Sequence, residues 1–183
     1  VGAGVEETLY TPFHRSVLHR LPWTAVNLAT ALAVAFVVSR FEPIISEIAV
    51  LAAYMPVVAS VGGNSGAQSQ AVIIRAMATD TVPRGQVRQV LGRSLLIGLV
   101  NGFAVGVLSG VIAAGFTHSA EIGFVIGLAA QVNLIVANLA GSGIPLLLHS
   151  LGQDPAMASN IFMTMITDMV GFGGFLAIAT VLL

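Results

Sequence analysis

The stretch Pro155–Leu183, PAMASNIFMTMITDMVGFGGFLAIATVLL, contains one charged residue, Asp168, set among Ile166, Met169, Val170 and Phe172. A run this apolar reads as a membrane-crossing helix, because roughly 20 residues at about 1.5 Å each span a hydrocarbon core. A carboxylate at the centre of such a helix costs roughly a few kcal/mol or more, unless it faces protein or water and meets a cation, a proton or a partner. Asn160, Thr164 and Asp168 recur at intervals of four, so they share one helix face and rise about 12 Å along it. The bland reading of that stripe is a structural hydrogen-bond network. The ionisable group at its end favours a functional one.

Outward from this stretch the composition stays of the same kind. Hydrophobic residues make up 56% of the 183 positions, charged residues only 8%, and mean hydropathy is +0.95. A water-soluble domain has about a quarter of its residues charged, so the chain is expected to be an all-α, polytopic membrane protein. Cysteine is absent, which excludes disulfides and thiolate metal sites. No nucleophile–base arrangement or nucleotide fingerprint points to an enzyme, and Gly62-Gly63-Asn64-Ser65-Gly66 lacks the Lys of a phosphate-binding loop. Net charge is −1, and no basic patch suits nucleic acid.

Charge-free runs between charged or turn-forming residues predict five transmembrane helices. The first is Leu21 to Ser39, with Pro22 at its first helical position. The second runs from Ile44 to Ala78, too long for one straight crossing, and Val61 to Gly66 is read as an interruption in its middle. The third covers Val87 to Ala114, the fourth Ile122 to Leu148 and the fifth Pro155–Leu183. Residues 1–20 are expected to form an N-terminal interfacial or connecting segment, and 21–183 the five-helix pore domain. The chain opens at Val1, and Glu6-Glu7-Thr8-Leu9-Tyr10 is no secretory leader, so it is read as a fragment without its preceding cytoplasmic regulatory domains. Arg15 and Arg20 before the first span, and Arg84 and Arg88 after the second, belong on the cytoplasmic side. The N-terminus is then cytoplasmic, with His118 outside and the loop from His149 to Asp154 inside.

Several residues receive lesser roles. Gly98, Gly102, Gly106 and Gly110 make a smooth stripe on span three, expected to serve intramolecular packing ahead of a gate or dimer seam. Asp154, just before Pro155, suits capping of span five more than ligand binding. His118 and His149 have no partner at metal-ligand spacing, and Trp23 fits an interfacial aromatic belt.

Ser60, Asn64 and Gln68 repeat the interval of four on span two, so spans two and five are expected to face a common aqueous path. Its fixed groups are oxygen donors, which suit a hard cation. Mg2+ dehydrates reluctantly and is commonly held through retained water. One Asp per chain supplies one negative charge, and two chains meeting at this face supply two. That is a physical reason to expect a homodimer with the pore at the dimer interface.

Pro56 to Ser69, reading Pro-Val-Val-Ala-Ser-Val-Gly-Gly-Asn-Ser-Gly-Ala-Gln-Ser, resembles the second-helix signature of the MgtE family of magnesium channels. A second match is Asp154-Pro155-Ala156 with Ser159, then Thr167-Asp168 ahead of Val170-Gly171-Phe172. The resemblance covers essentially the whole chain. It implies a homodimeric, magnesium-selective channel of the cell inner membrane, with cytoplasmic N-terminal and CBS domains that close the pore when internal magnesium is high. Mg2+ is then the transported and bound ion. The resemblance implies Asp168 as the central ion-binding carboxylate, with Asn160 and the carbonyl region near Thr164 around the hydrated ion. Gly63 and Asn64 fall in the signature that lines the same pore, Asp154 becomes a peripheral site, and some members carry a second Asn where this chain has Ala67. The competing readings are a carrier coupled to Na+ or H+, and a non-transporting subunit whose Asp168 pairs with a cationic helix of a partner.

Overall fold

The computed structural model describes residues 8, 10–79 and 86–183, and among them the chain is helical without a strand. Helix α1 covers Phe13–Ser39, α2 Glu42–Glu47, α3 Val50–Ala78, α4 Val87–Thr117 and α5 Ala120–Ser150. Helix α6, Pro155–Asp168, passes through a π-helical turn, Met169–Gly174, into α7, Phe175–Leu182. Four stretches among the described residues are long and apolar enough to cross a membrane: Phe13–Ser39, Val87–Thr117, Ala120–Ser150 and Ala158–Leu182. Helix α3 has the length, 29 residues, but the polar residues between Ser60 and Gln70 dilute its apolar character. The expectations for Val1, Glu6, Glu7 and Arg84 fall outside the described residues.

Helix α5 is the centre of the bundle, packed by α3, α4, α6, the π turn and α7. Leu51, Val58, Val125, Ile126, Phe175 and Leu176 form the core where these elements meet. Within a bilayer, close packing rather than exclusion of water holds helices together, which gives small residues their value. The glycine stripe of α4 shows it. A Cβ on Gly98 would stand 2.9 Å from Ile135 Cα, one on Gly106 2.7 Å from the Gly127 carbonyl oxygen, and one on Gly110 2.8 Å from that of Gly123. The stripe is an intramolecular seam, as its spacing suggested. Numbers rise on α4 as they fall on α5, so the two helices run antiparallel. The turn between them is short: His118 takes a left-handed φ of 52°, and Ser119 caps α5 by accepting from the Ile122 N–H at 3.3 Å.

Two expectations about helix geometry are corrected. Pro22 lies inside α1, which opens at Phe13 behind Pro12. Pro12 fixes the approach to the first turn, and the helix then runs through the later proline without a break. The interruption expected at Val61 to Gly66 does not occur either, because α3 is helical throughout Val50–Ala78. Gly62 and Gly66 are places of close approach. A Cβ on Gly62 would strike the Asn133 amide, and one on Gly66 would lie 2.7 Å from Met163 Sδ. The chain bends earlier, at Ile48 and Ala49 between α2 and α3, and its helical winding changes in the π turn.

Candidate functional site

Helix α3 packs against the α6–π rod in antiparallel fashion. A Cβ on Gly171 would be 2.7 Å from Ala59 Cα, one on Gly63 3.8 Å from Thr167 Oγ1, and one on Gly66 2.7 Å from Met163 Sδ. Further along, Gln70 Nε2 donates to Ser159 Oγ at 2.7 Å. The residues of α6 and the π turn in this seam are Ser159, Met163, Thr167 and Gly171, again at intervals of four. One residue beyond each of the first three stands Asn160, Thr164 or Asp168, and one beyond Gly63 stands Asn64. In an antiparallel pair, a step of one residue turns both helices about 100° toward the same side. Asn64, Asn160, Thr164 and Asp168 therefore share one side of the α3–α6 pair. The height of Asn64 falls between those of Thr164 and Asp168, about 3 Å from each along the axis.

Hydrogen bonding separates this outer face from the seam behind it. Inside, Asn138 Nδ2 donates to Ser65 Oγ at 2.9 Å and to the Leu134 carbonyl at 2.8 Å, while its Oδ1 accepts from Ser69 Oγ at 2.7 Å. Ser94 and Ser142 share a bond of 2.7 Å. Asn133 Nδ2 donates to the Val58 carbonyl at 2.9 Å, and Ser159 Oγ donates to the Pro155 carbonyl. On the outer face, the side chains of Asn64, Asn160, Thr164 and Asp168 make no hydrogen bond or ion pair among the described residues. Asn64 is exposed and the other three are half-buried. A half-buried carboxylate with no donor and no cation among the described residues is a group held for something else. The Thr164 carbonyl is engaged from behind by Thr167 Oγ1 at 3.0 Å.

Asp168 is the last residue of α6 before the π turn. Such turns insert one extra residue into a helix and recur at functional sites. This one is pressed by three helices. Gly171 lies under Ala59 of α3 and 2.8 Å, measured from its would-be Cβ, from Asn133 Nδ2 of α5, and Gly173 sits likewise 2.8 Å from Val37 Cγ1 of α1. The position of Asp168 is thus set by a clamp around the glycines that follow it.

The structure does not bring every sequence-predicted residue together. Asp154 is exposed and lies one residue before α6, about 21 Å from Asp168 along the helix axis. Gly63 is beside Thr167 but, unlike Gly62 and Gly66, has space for a side chain. Asn133 and Asn138 of α5 escaped the sequence reading. Their spacing of five breaks the helical repeat that exposed the other stripes. Asn133 is fully buried, with its Oδ1 unpartnered, as is Gln70 Oε1. Among the described residues no three His, Cys, Asp or Glu side chains cluster as a metal cage. A divalent ion on the outer face would meet one carboxylate and neutral oxygens per chain, an arrangement suited to an ion that keeps its water.

Residues 55–178 match the family described as MgtE, divalent cation transporter. Three proteins named magnesium transporter MgtE are similar to this chain. The Enterococcus faecalis protein is 35% identical over 168 residues, covering 92% of this chain and 37% of its own length. The Bacillus subtilis protein is 29% identical over 178 residues, covering 97% of this chain and 40% of its own. The Thermus thermophilus protein is 31% identical over 166 residues, covering 91% and 37%. The chain thus spans 37% to 40% of the length of these relatives.

Proposed function

Because the chain belongs to the MgtE family of divalent cation transporters, we propose that it conducts hydrated Mg2+ across the cell inner membrane through a channel between two copies of itself. The observation that carries this reading is the unpartnered Asp168 carboxylate on a face shared with Asn64, Asn160 and Thr164. That face is open in the single chain. A second copy meeting it across a twofold axis doubles the carboxylate to match a divalent charge and encloses a polar path. In this reading α3 is the fifth crossing element, polar because it lines the path. The N-terminus is cytoplasmic, where the regulatory domains of a longer protein would join α1. Asp168 holds the ion through its inner water shell, Asn160, Thr164 and Asn64 contact that shell, Gly63 keeps the wall smooth, and Asp154 attracts cations at the mouth.

The test is Mg2+ flux into liposomes reconstituted with the purified chain and loaded with a magnesium-sensitive dye. Asp168→Ala is expected to lower the flux about tenfold or more while the dimer still elutes intact. Unchanged flux in that variant overturns the assignment of the site. Parent flux that requires a Na+ or H+ gradient makes the protein a coupled carrier and overturns the channel.

A further inference from the structure

A second polar feature lies on a different side of α3. Between α3 and α4, floored by α5, is a cavity of about 400 Å³. Gln68, which was expected on the Asn64 face, lines it at one edge, about 40° around α3 from Asn64. Val72 and Ala76 are turned roughly 100° from Asn64, so this space adjoins the outer face at Gln68 and extends away from it toward α4. Its floor is polar and buried. Ser94 and Ser142 bond to each other there, and Ser69 bonds to Asn138. Val72 and Ile97 give apolar walls, and among the described residues Arg93 is the one charged group in the lining, with no carboxylate beside it.

Depth decides what such a cavity takes. From Ser94 to Thr117 α4 carries no charge, and those residues rise about 36 Å, enough to cross the hydrocarbon core. Arg93 therefore stands at the boundary between hydrocarbon and head groups, at the end of the bundle where Arg75 and Arg88 also lie. Below it the α4 surface is largely apolar, with Ile97 and Val100 exposed to 40% and 68% and Asn101 as the exposed polar residue beside them. A guanidinium fork matches a pair of phosphate oxygens, and basic pockets between transmembrane helices accept anionic head groups. We propose that this cavity is a binding site for one anionic phospholipid per chain, its phosphate on Arg93 and an acyl chain leaving along Ile97 and Val100. The proposal rests on the membrane reading but not on the ion path.

Native mass spectrometry of the purified, lipid-depleted chain tests it by counting bound molecules during titration with phosphatidylglycerol, phosphatidylcholine of the same acyl chains, or inorganic phosphate. Phosphatidylglycerol is expected to fill one site at about fivefold lower concentration than phosphatidylcholine. Arg93→Gln removes that preference, Arg93→Lys retains it, and Ala76→Phe, which fills the cavity, removes the site. Equal binding of the two lipids by the parent, or a preference unchanged in Arg93→Gln, overturns the proposal. Displacement of the lipid by an equal concentration of inorganic phosphate also overturns it, because the site is then one for soluble phosphate. Should Arg93→Gln fail to fold, the comparison of Arg93→Lys with Ala76→Phe carries the same decision. Since lipid is counted and no flux is read, the result stands apart from that at Asp168.

Discussion

Asn64 and Asn138 are one residue type in opposite situations. The Asn138 amide makes three hydrogen bonds, two of them joining α5 to Ser65 and Ser69 of α3 and one to the Leu134 carbonyl of its own helix, whereas that of Asn64 makes none among the described residues. Asn138→Ala leaves Ser65 and Ser69 without their partner and is expected to lower stability by about 1–2 kcal/mol. Asn64→Ala is expected to leave stability within about 0.5 kcal/mol and instead to reduce Mg2+ flux. Thermal unfolding followed by helical circular dichroism, beside the liposome assay, separates the two, and an unfolding loss for Asn64→Ala would contradict the outer-face reading. This division was half legible in the sequence. The Asn160, Thr164 and Asp168 stripe announced itself by its interval of four in an apolar helix. Asn133 and Asn138 did not, because a polar residue that meets its partner on another helix leaves no periodic trace in its own.

Among elements, the α4–α5 seam depends on glycine where backbones come close enough to exclude a methyl group. Gly106→Val is expected to push the helices apart, losing about 1–3 kcal/mol and several degrees in thermal midpoint. Gly115, on the same helix, meets nothing within 4 Å, so Gly115→Ala is expected to be neutral or stabilising by up to about 1 kcal/mol. If both variants melt like the parent, the seam is not what holds α4. Helix positions were largely readable, since charges and turn residues bracket α4, α5 and the start of α6 within a few residues of the observed bounds. The location of the irregularity was not. Glycines in Gly62 to Gly66 and in Gly171 to Gly174 look alike as letters, and only the neighbours decide which set is compressed into a straight helix and which accompanies a π turn.

At the scale of the whole molecule, the asymmetry between an interior whose polar side chains are mostly hydrogen-bonded and an outer face whose polar side chains make no bond among the described residues favours assembly. The chain has no cysteine, so single thiols can report it cleanly. Ala67→Cys, exposed on the side of α3 that carries Asn64, is expected to yield covalent dimers with a short bifunctional thiol reagent. Val100→Cys, on the far side of α4, is expected to stay a single chain. The reverse pattern would place the partner elsewhere. The proposal of a dimer was arguable from one Asp per chain, while the sides of α3 turned to α4, to α6 and to the outer face needed the packing register. That register also bears on how the chain can change length. Losing one amino acid from a membrane helix ordinarily swings everything beyond it through about 100°, presenting the wrong surface to every neighbour. Between Met169 and Gly174 the surplus residue is already there, so a one-codon deletion would tighten the winding and leave α7 docked, at the expense of the geometry around Asp168.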